Sequence, residues 1–192
     1  MSGSSLFVDI ASRSEKGSRS ANEDQVYCGR AAPGWFAVLA DGAEVYATDV
    51  NDAALQRLAS DHPSVRLLNS VADAPVDVYA PCALGATLTP MSAETIEAKL
   101  VCGAANNQLA TPDVELLLDR RGITWVPDFV ANAGGLIQVA GELQGADRVT
   151  VESDVTRIFD RCRDIIATAR EAGISIGAAA NLFAERRLDG AI

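Results

Sequence analysis

The spacing of apolar residues changes twice along this chain. Two runs, residues 6–10 and 35–40, are dense in aromatic and β-branched side chains and read as strands. A polar stretch rich in Ser, Arg, Asn and Glu separates them. The opening is therefore expected to form a short, hairpin-like β leader. From Glu44 onward strands alternate with helices. Residues 45–48, 65–68, 76–80, 99–103 and 123–126 carry the strand pattern. Between them, Asn51 is placed to cap a helix whose apolar face is Ala54, Leu55 and Leu58. Residues 92–98 and 112–120 read as two more helices, the latter opening on Pro112 and Asp113.

Strand–helix alternation at this spacing predicts a parallel sheet with right-handed crossovers. The rhythm then becomes wholly helical. Val151, Val155, Ile158, Phe159, Cys162, Ile165, Ile166 and Ala169 recur at intervals of three and four, the signature of an amphipathic helix. Gly173 is placed to end it, and Ser175 to cap a last helix running through Phe183.

Composition narrows the function classes. The net charge of −10 sets the chain against phosphate backbones, so no nucleic-acid partner is expected. A small dinucleotide is still compatible, because backbone N–H groups and helix N-termini supply local positive potential. The four cysteines, Cys28, Cys82, Cys102 and Cys162, are far apart and lack metal-ligand spacing. Reduced thiols and the absence of a long apolar segment lead to the expectation of a cytoplasmic protein with no membrane partner.

Candidate chemistry collects at the ends of the expected strands. Asp49 closes one strand, where an acid accepts hydrogen bonds from ribose hydroxyls in dinucleotide folds. Pro81-Cys82-Ala83-Leu84-Gly85 follows another, and Gly103-Ala104-Ala105-Asn106-Asn107 a third. Small residues there let a flat ring approach the backbone, and the paired amides offer donors and acceptors. Gly134-Gly135 opens an apolar helix, unfavourable by propensity, which points to close helix packing or close ligand approach.

Four ordered motifs carry a resemblance. Val45-Tyr46-Ala47-Thr48-Asp49-Val50-Asn51, Val78-Tyr79-Ala80-Pro81-Cys82-Ala83-Leu84-Gly85, Gly103-Ala104-Ala105-Asn106-Asn107-Gln108-Leu109 and Pro127-Asp128-Phe129-Val130-Ala131-Asn132-Ala133-Gly134-Gly135 resemble the glutamate/leucine/phenylalanine/valine dehydrogenases. The likeness is to the leucine, valine and phenylalanine branch and runs from about residue 42 to the C-terminus. It implies an α/β fold: a partial Rossmann-like parallel sheet with C-terminal helices, preceded by the β-hairpin-like leader. Residues 44–192 would be a truncated NAD-binding domain and residues 1–43 a separate leader. The resemblance implies that Asp49 takes the ribose and that Ala80, Pro81 and Cys82 line the dinucleotide groove. Asn106 and Asn132 would lie near nicotinamide and substrate. Leu136 and Val139 would line a pocket for an apolar amino acid or its 2-oxo acid.

The family's G-x-G-x-x-G turn should precede Asp49, and Gly29, Gly34 and Gly42 do not have its spacing. Its catalytic lysine and aspartate belong to a preceding domain with no counterpart here. Weak NAD binding, without amino-acid oxidation by this chain alone, is the expected outcome. Loss of a central strand would leave sheet edges unpaired, which favours a homo-oligomer.

The leader has a second likeness. Arg19-Ser20-Ala21-Asn22-Glu23-Asp24 and Phe36-Ala37-Val38-Leu39-Ala40-Asp41-Gly42 resemble the start of the type-2C metal-dependent protein phosphatases. That resemblance implies Mn²⁺ or Mg²⁺ held by Asp24, Asp41 and the Gly42 carbonyl. A phosphatase fragment and a non-catalytic α/β module are thus the alternative readings. A junction of two families at Asp41-Gly42-Ala43 would let residues 36–40 pair beside residues 45–48 as a substitute first strand.

Overall fold

The computed structural model describes residues 9–13, 25–31, 34–40, 44–49, 51–70 and 75–190. It divides into two compact units, Met1–Thr124 and Trp125–Ile192. The strands are β1 (Asp9–Arg13), β2 (Gln25–Ala31), β3 (Gly34–Ala40), β4 (Glu44–Thr48), β5 (Arg66–Leu67), β6 (Val78–Ala80), β7 (Leu100–Val101) and β8 (Thr124–Trp125). Three helices alternate with them: α1 (Asp52–Asp61), α2 (Pro90–Thr95) and α3 (Asp113–Arg120). The main sheet has the order β5-β4-β1-β6-β7-β8, while β2 and β3 form a separate antiparallel pair.

The expected parallel pairing is present between β4 and β5 and between β6 and β7. The leader corrects the sequence reading in two respects. Its hairpin is β2–β3, closing with Ala31 opposite Gly34, and residues 25–31 were not expected to be a strand. The strand expected at 6–10 is β1, at 9–13, and it pairs with neither β2 nor β3. It lies antiparallel between β4 and β6, with Ile10 opposite Ala47 on one side and Ala80 on the other. The place proposed for residues 36–40 is therefore filled by β1. Ladder groups of two strands one strand-width apart require partners, and β1 supplies them on both sides. The junction residues 41–43 lie outside the described residues.

Local signals account for the helices. The Asn51 side-chain oxygen accepts from the Ala54 N–H at 3.1 Å and starts α1, which buries Ala54 and Leu55. α2 begins earlier than expected. Thr89 and Ser92 form a reciprocal capping box with Pro90 in the first turn, which starts the helix two residues before the expected Ser92. The Arg121 guanidinium donates to the Ala93 and Ile96 carbonyls, satisfying the far end of α2. Ala47, Leu55, Ala80 and Cys82 form one core cluster, with Val45, Leu58, Val65 and Leu67 packed against it.

The second unit is helical: α4 (Asp128–Ala131), α5 (Gly134–Leu143), α6 (Arg148–Ala172) and α7 (Ile176–Leu188). Asp147 caps α6 by accepting from the Thr150 N–H at 2.8 Å. Gly173, at φ 63°, ends α6, and the Ser175 hydroxyl caps α7 as expected. α7 continues past the predicted Phe183 to Leu188. Ile165, Ala169, Ala179 and Ala180 form the core of this unit, joined by Val130, Ile176 and Phe183. Among the described residues no helix is long and apolar enough to cross a membrane.

Candidate functional site

Asp49 immediately follows β4, at its carboxyl end. One carboxylate oxygen, Oδ1, accepts from the Asn51 N–H at 2.7 Å, which ties the acid to the start of α1. The other, Oδ2, is buried with no hydrogen-bond partner. A buried carboxylate oxygen without a donor is unfavourable, which marks it as an acceptor that water or a bound molecule would satisfy. The hydroxyls of a ribose have that chemistry. Thr87 Oγ1 is the other such buried side-chain atom among the described residues.

Two loops follow β6 and β7, and they are joined along their length. The Ala105 N–H donates to Pro81 O at 2.9 Å. The Ala86 N–H donates to Asn107 O at 2.7 Å, and the Leu88 N–H to Gln108 O at 3.0 Å. Leu88 and Leu109 form an isolated parallel bridge. Two glycines permit this approach. A Cβ at Gly103 would lie 2.2 Å from Pro81 O and 2.5 Å from Pro81 N, and one at Gly85 2.6 Å from Asn106 O. Ala86 and Asn107 hold positive φ values, 58° and 53°, which marks strain at the tip of each loop.

The side chains of Ala80, Pro81 and Cys82 are buried in the core. Only their main chain is therefore placed where a ligand could meet it. Asn106 and Asn107 are exposed beside them. Gln108, three residues before Thr111, was not singled out by sequence and is completely buried. Its Nε2 donates to Gly103 O at 2.8 Å and to Ala105 O at 3.1 Å. Polar residues are exposed by default, so nothing in the pattern flagged it.

The remaining predicted residues belong to the second unit. Asn132 is half-buried and closes α4, its N–H donating to Asp128 O at 2.8 Å. Leu136 and Val139 are exposed on α5, Leu136 by 75%. A Cβ at Gly134 would meet Val155 and Ile158 only at 3.8–4.0 Å, ordinary contact. Packing against α6 therefore does not require glycine at position 134. Asp24, Asp41 and Gly42 lie outside the described residues. Among the described residues no group of three or more His, Cys, Asp or Glu side chains is placed to hold a metal ion.

The chain is similar to known proteins of one family. The family model for glutamate/leucine/phenylalanine/valine dehydrogenase matches residues 38–191. The valine dehydrogenase of Streptomyces virginiae is 47% identical over 161 residues, covering 80% of this chain and 44% of that protein. The leucine dehydrogenase of Bacillus cereus is 37% identical over 150 residues, covering 78% and 41% respectively. The solved structure of L-tryptophan dehydrogenase from Nostoc punctiforme is similar with a TM-score of 0.71 and 33% identity, over 76% of this chain and 45% of that one. The chain thus spans less than half the length of these relatives. It belongs to the glutamate/leucine/phenylalanine/valine dehydrogenase family, and its α/β fold is that of an amino-acid dehydrogenase.

Proposed function

We propose that this chain is a dinucleotide-binding part of an amino-acid dehydrogenase, selective for NAD over NADP, that binds the cofactor weakly. Family membership implies a nicotinamide dinucleotide, with an amino acid and its 2-oxo acid as the reacting pair. The observation that carries the reading is Asp49 Oδ2, buried at the carboxyl end of β4 and lacking a donor. Two vicinal ribose hydroxyls satisfy it. A 2′-phosphate at the same place would set two anions together and is disfavoured.

The nicotinamide group supplies hydride transfer when bound. The chain's own residues hold and orient it. Asp49 anchors one ribose, and the main chain of the loops after β6 and β7 offers groups to the other half of the dinucleotide. Asn106 adds a side-chain donor and acceptor beside these loops, and Asn132 carries the same groups within the second unit. The exposed aliphatic pair Leu136 and Val139 suits an apolar amino acid, because a charged side chain against it would lose water without gaining a partner. In this reading residues 1–43 precede a dinucleotide-binding region at 44–192. Weak affinity is proposed because no G-x-G-x-x-G sequence stands before Asp49 to cradle the pyrophosphate.

Calorimetric titration with NADH and NADPH tests the proposal. Saturable NADH binding, at least about tenfold tighter than NADPH, is expected; tenfold corresponds to about 1.4 kcal/mol. Equal binding of both, or binding of neither by the folded protein, contradicts it.

A further inference from the structure

Gln108 is the buried polar residue of the described core, with none of its side chain exposed. Burying a carboxamide is unfavourable unless its hydrogen bonds are made. Here Nε2 spends both donors on one turn, bonding Gly103 O and Ala105 O. The peptide between those carbonyls is the one whose Ala105 N–H reaches Pro81 O in the loop after β6. From the other side, the backbone oxygen of Gln108 accepts from Leu88 N–H of that same loop. One residue thus fixes the turn of the β7 loop by its side chain and the seam to the β6 loop by its main chain. Gly85 and Gly103 remove the Cβ atoms that would hold the loops apart. Ala86 and Asn107, both at positive φ, are held in strained conformations on either side of the seam.

The sheet order places this seam away from Asp49. Asp49 follows β4, and β7 lies three strand steps further along the sheet, about 14 Å at about 4.8 Å per step. A dinucleotide whose adenosine ribose is on Asp49 extends its second nucleoside across that distance.

We infer that Gln108 is a positioning residue for the nicotinamide half of the cofactor: its buried carboxamide locks the loops after β6 and β7 into one rigid cradle. It touches no ligand itself and acts through the backbone of Gly103, Ala105 and Pro81. This rests on the dinucleotide reading proposed above, and the test separates the two.

The test compares NADH with ADP-ribose, which lacks the nicotinamide ring, on the wild-type chain and on Gln108→Met. Methionine keeps the length and volume of the side chain and removes both donors. NADH binding is expected to weaken by about tenfold or more, since carbonyls are left without donors. ADP-ribose binding is expected to stay within about twofold, because it lacks the ring that the cradle positions and keeps its anchor on Asp49. The enhanced fluorescence of the bound reduced nicotinamide should fall with it. Gly85→Ala, which wedges the same seam apart at its exposed end without burying an unpaired group, should show the same selectivity. If Gln108→Met does not fold, Gln108→Asn replaces it. That side chain is one methylene too short to bond both carbonyls, and it should also lose NADH selectively.

A folded Gln108 variant that binds NADH as wild type overturns the inference. So does equal weakening of both ligands, which is the mark of a general structural role. Failure of the wild-type chain to bind either ligand overturns the dinucleotide reading itself. ADP-ribose bound normally, with NADH unaffected in the variants, leaves that reading standing and removes only the role of Gln108.

Discussion

Replacing Gly103 by alanine puts a methyl group where the structure has no room. The new Cβ would lie 2.2 Å from Pro81 O, 2.5 Å from Pro81 N and 2.7 Å from Pro81 Cδ. The first two are backbone atoms, so the clash is not relieved by a rotamer change. Either the β6 and β7 loops separate or both strands shift. Separation breaks the 2.9 Å bond from Ala105 N–H to Pro81 O in a buried region. Overpacking of this kind costs about 1–3 kcal/mol, and a lost buried hydrogen bond adds about 1 kcal/mol. Against this, alanine stiffens the unfolded chain and returns only about 0.4–1 kcal/mol. The clash wins, with a net loss of about 1–3.5 kcal/mol. Gly122 is the control, since at φ 72° nothing lies within 4 Å of its would-be Cβ. Gly122→Ala meets only the left-handed backbone penalty of about 1–2 kcal/mol. Urea unfolding followed by far-ultraviolet circular dichroism reads both, at a slope of about 1–3 kcal/mol per molar urea. A Gly103→Ala midpoint at or above the wild-type value would refute the account of the joined loops.

Two further outcomes follow from the same coordinates. Leu118 of α3 is fully buried, so Leu118→Ala should destabilise the chain by about 2–5 kcal/mol, read as a lower urea midpoint; an unchanged midpoint would mean that α3 is not packed as described. The Asp147 carboxyl is held below its ordinary value by hydrogen bonds from the Thr150 side chain and then the Thr150 N–H. Its cap on α6 should therefore be fully present above the ordinary aspartate range and lost as pH falls through the lowered value. Carbon-13 titration of the Asp147 carboxyl should give a midpoint below that in Thr150→Ala, and coincident midpoints would contradict the side-chain hydrogen bond from Thr150.

Local chemistry made much of this legible in sequence. Asn51, Gly173 and Ser175 act within a turn of where they stand, and each starts or ends its helix as its residue type suggests. Asp49 could be singled out because a strand end before a helix is a local feature. Long-range pairing was not legible. Nothing in Asp9–Arg13 says that Ile10 will lie between Ala47 and Ala80, since the partners are distant in sequence and the pattern does not encode orientation. Residues 25–31 escaped because their apolar run, Val26-Tyr27-Cys28, is short, does not alternate and ends at Gly29. The α2 start, expected at Ser92, lies at Pro90 because the Thr89–Ser92 capping box sets it. Gln108 was hidden because its role depends on burial, and the glutamine after Asn106-Asn107 reads as one more exposed polar residue.

The central claim is that Asp49 is the anchor of a dinucleotide site, and Asp49→Asn tests it most directly. The amide oxygen of asparagine keeps the 2.7 Å turn bond from Asn51 N–H, while an NH₂ donor replaces the unpartnered Oδ2. The helix start is preserved and only the acceptor for ribose hydroxyls is removed. Hydrogen bonds to a charged group contribute about 1.5–3 kcal/mol, which predicts NADH binding weaker by about tenfold to a hundredfold in calorimetric titration, with the unfolding midpoint unchanged. NADH bound equally by wild type and Asp49→Asn would contradict the account.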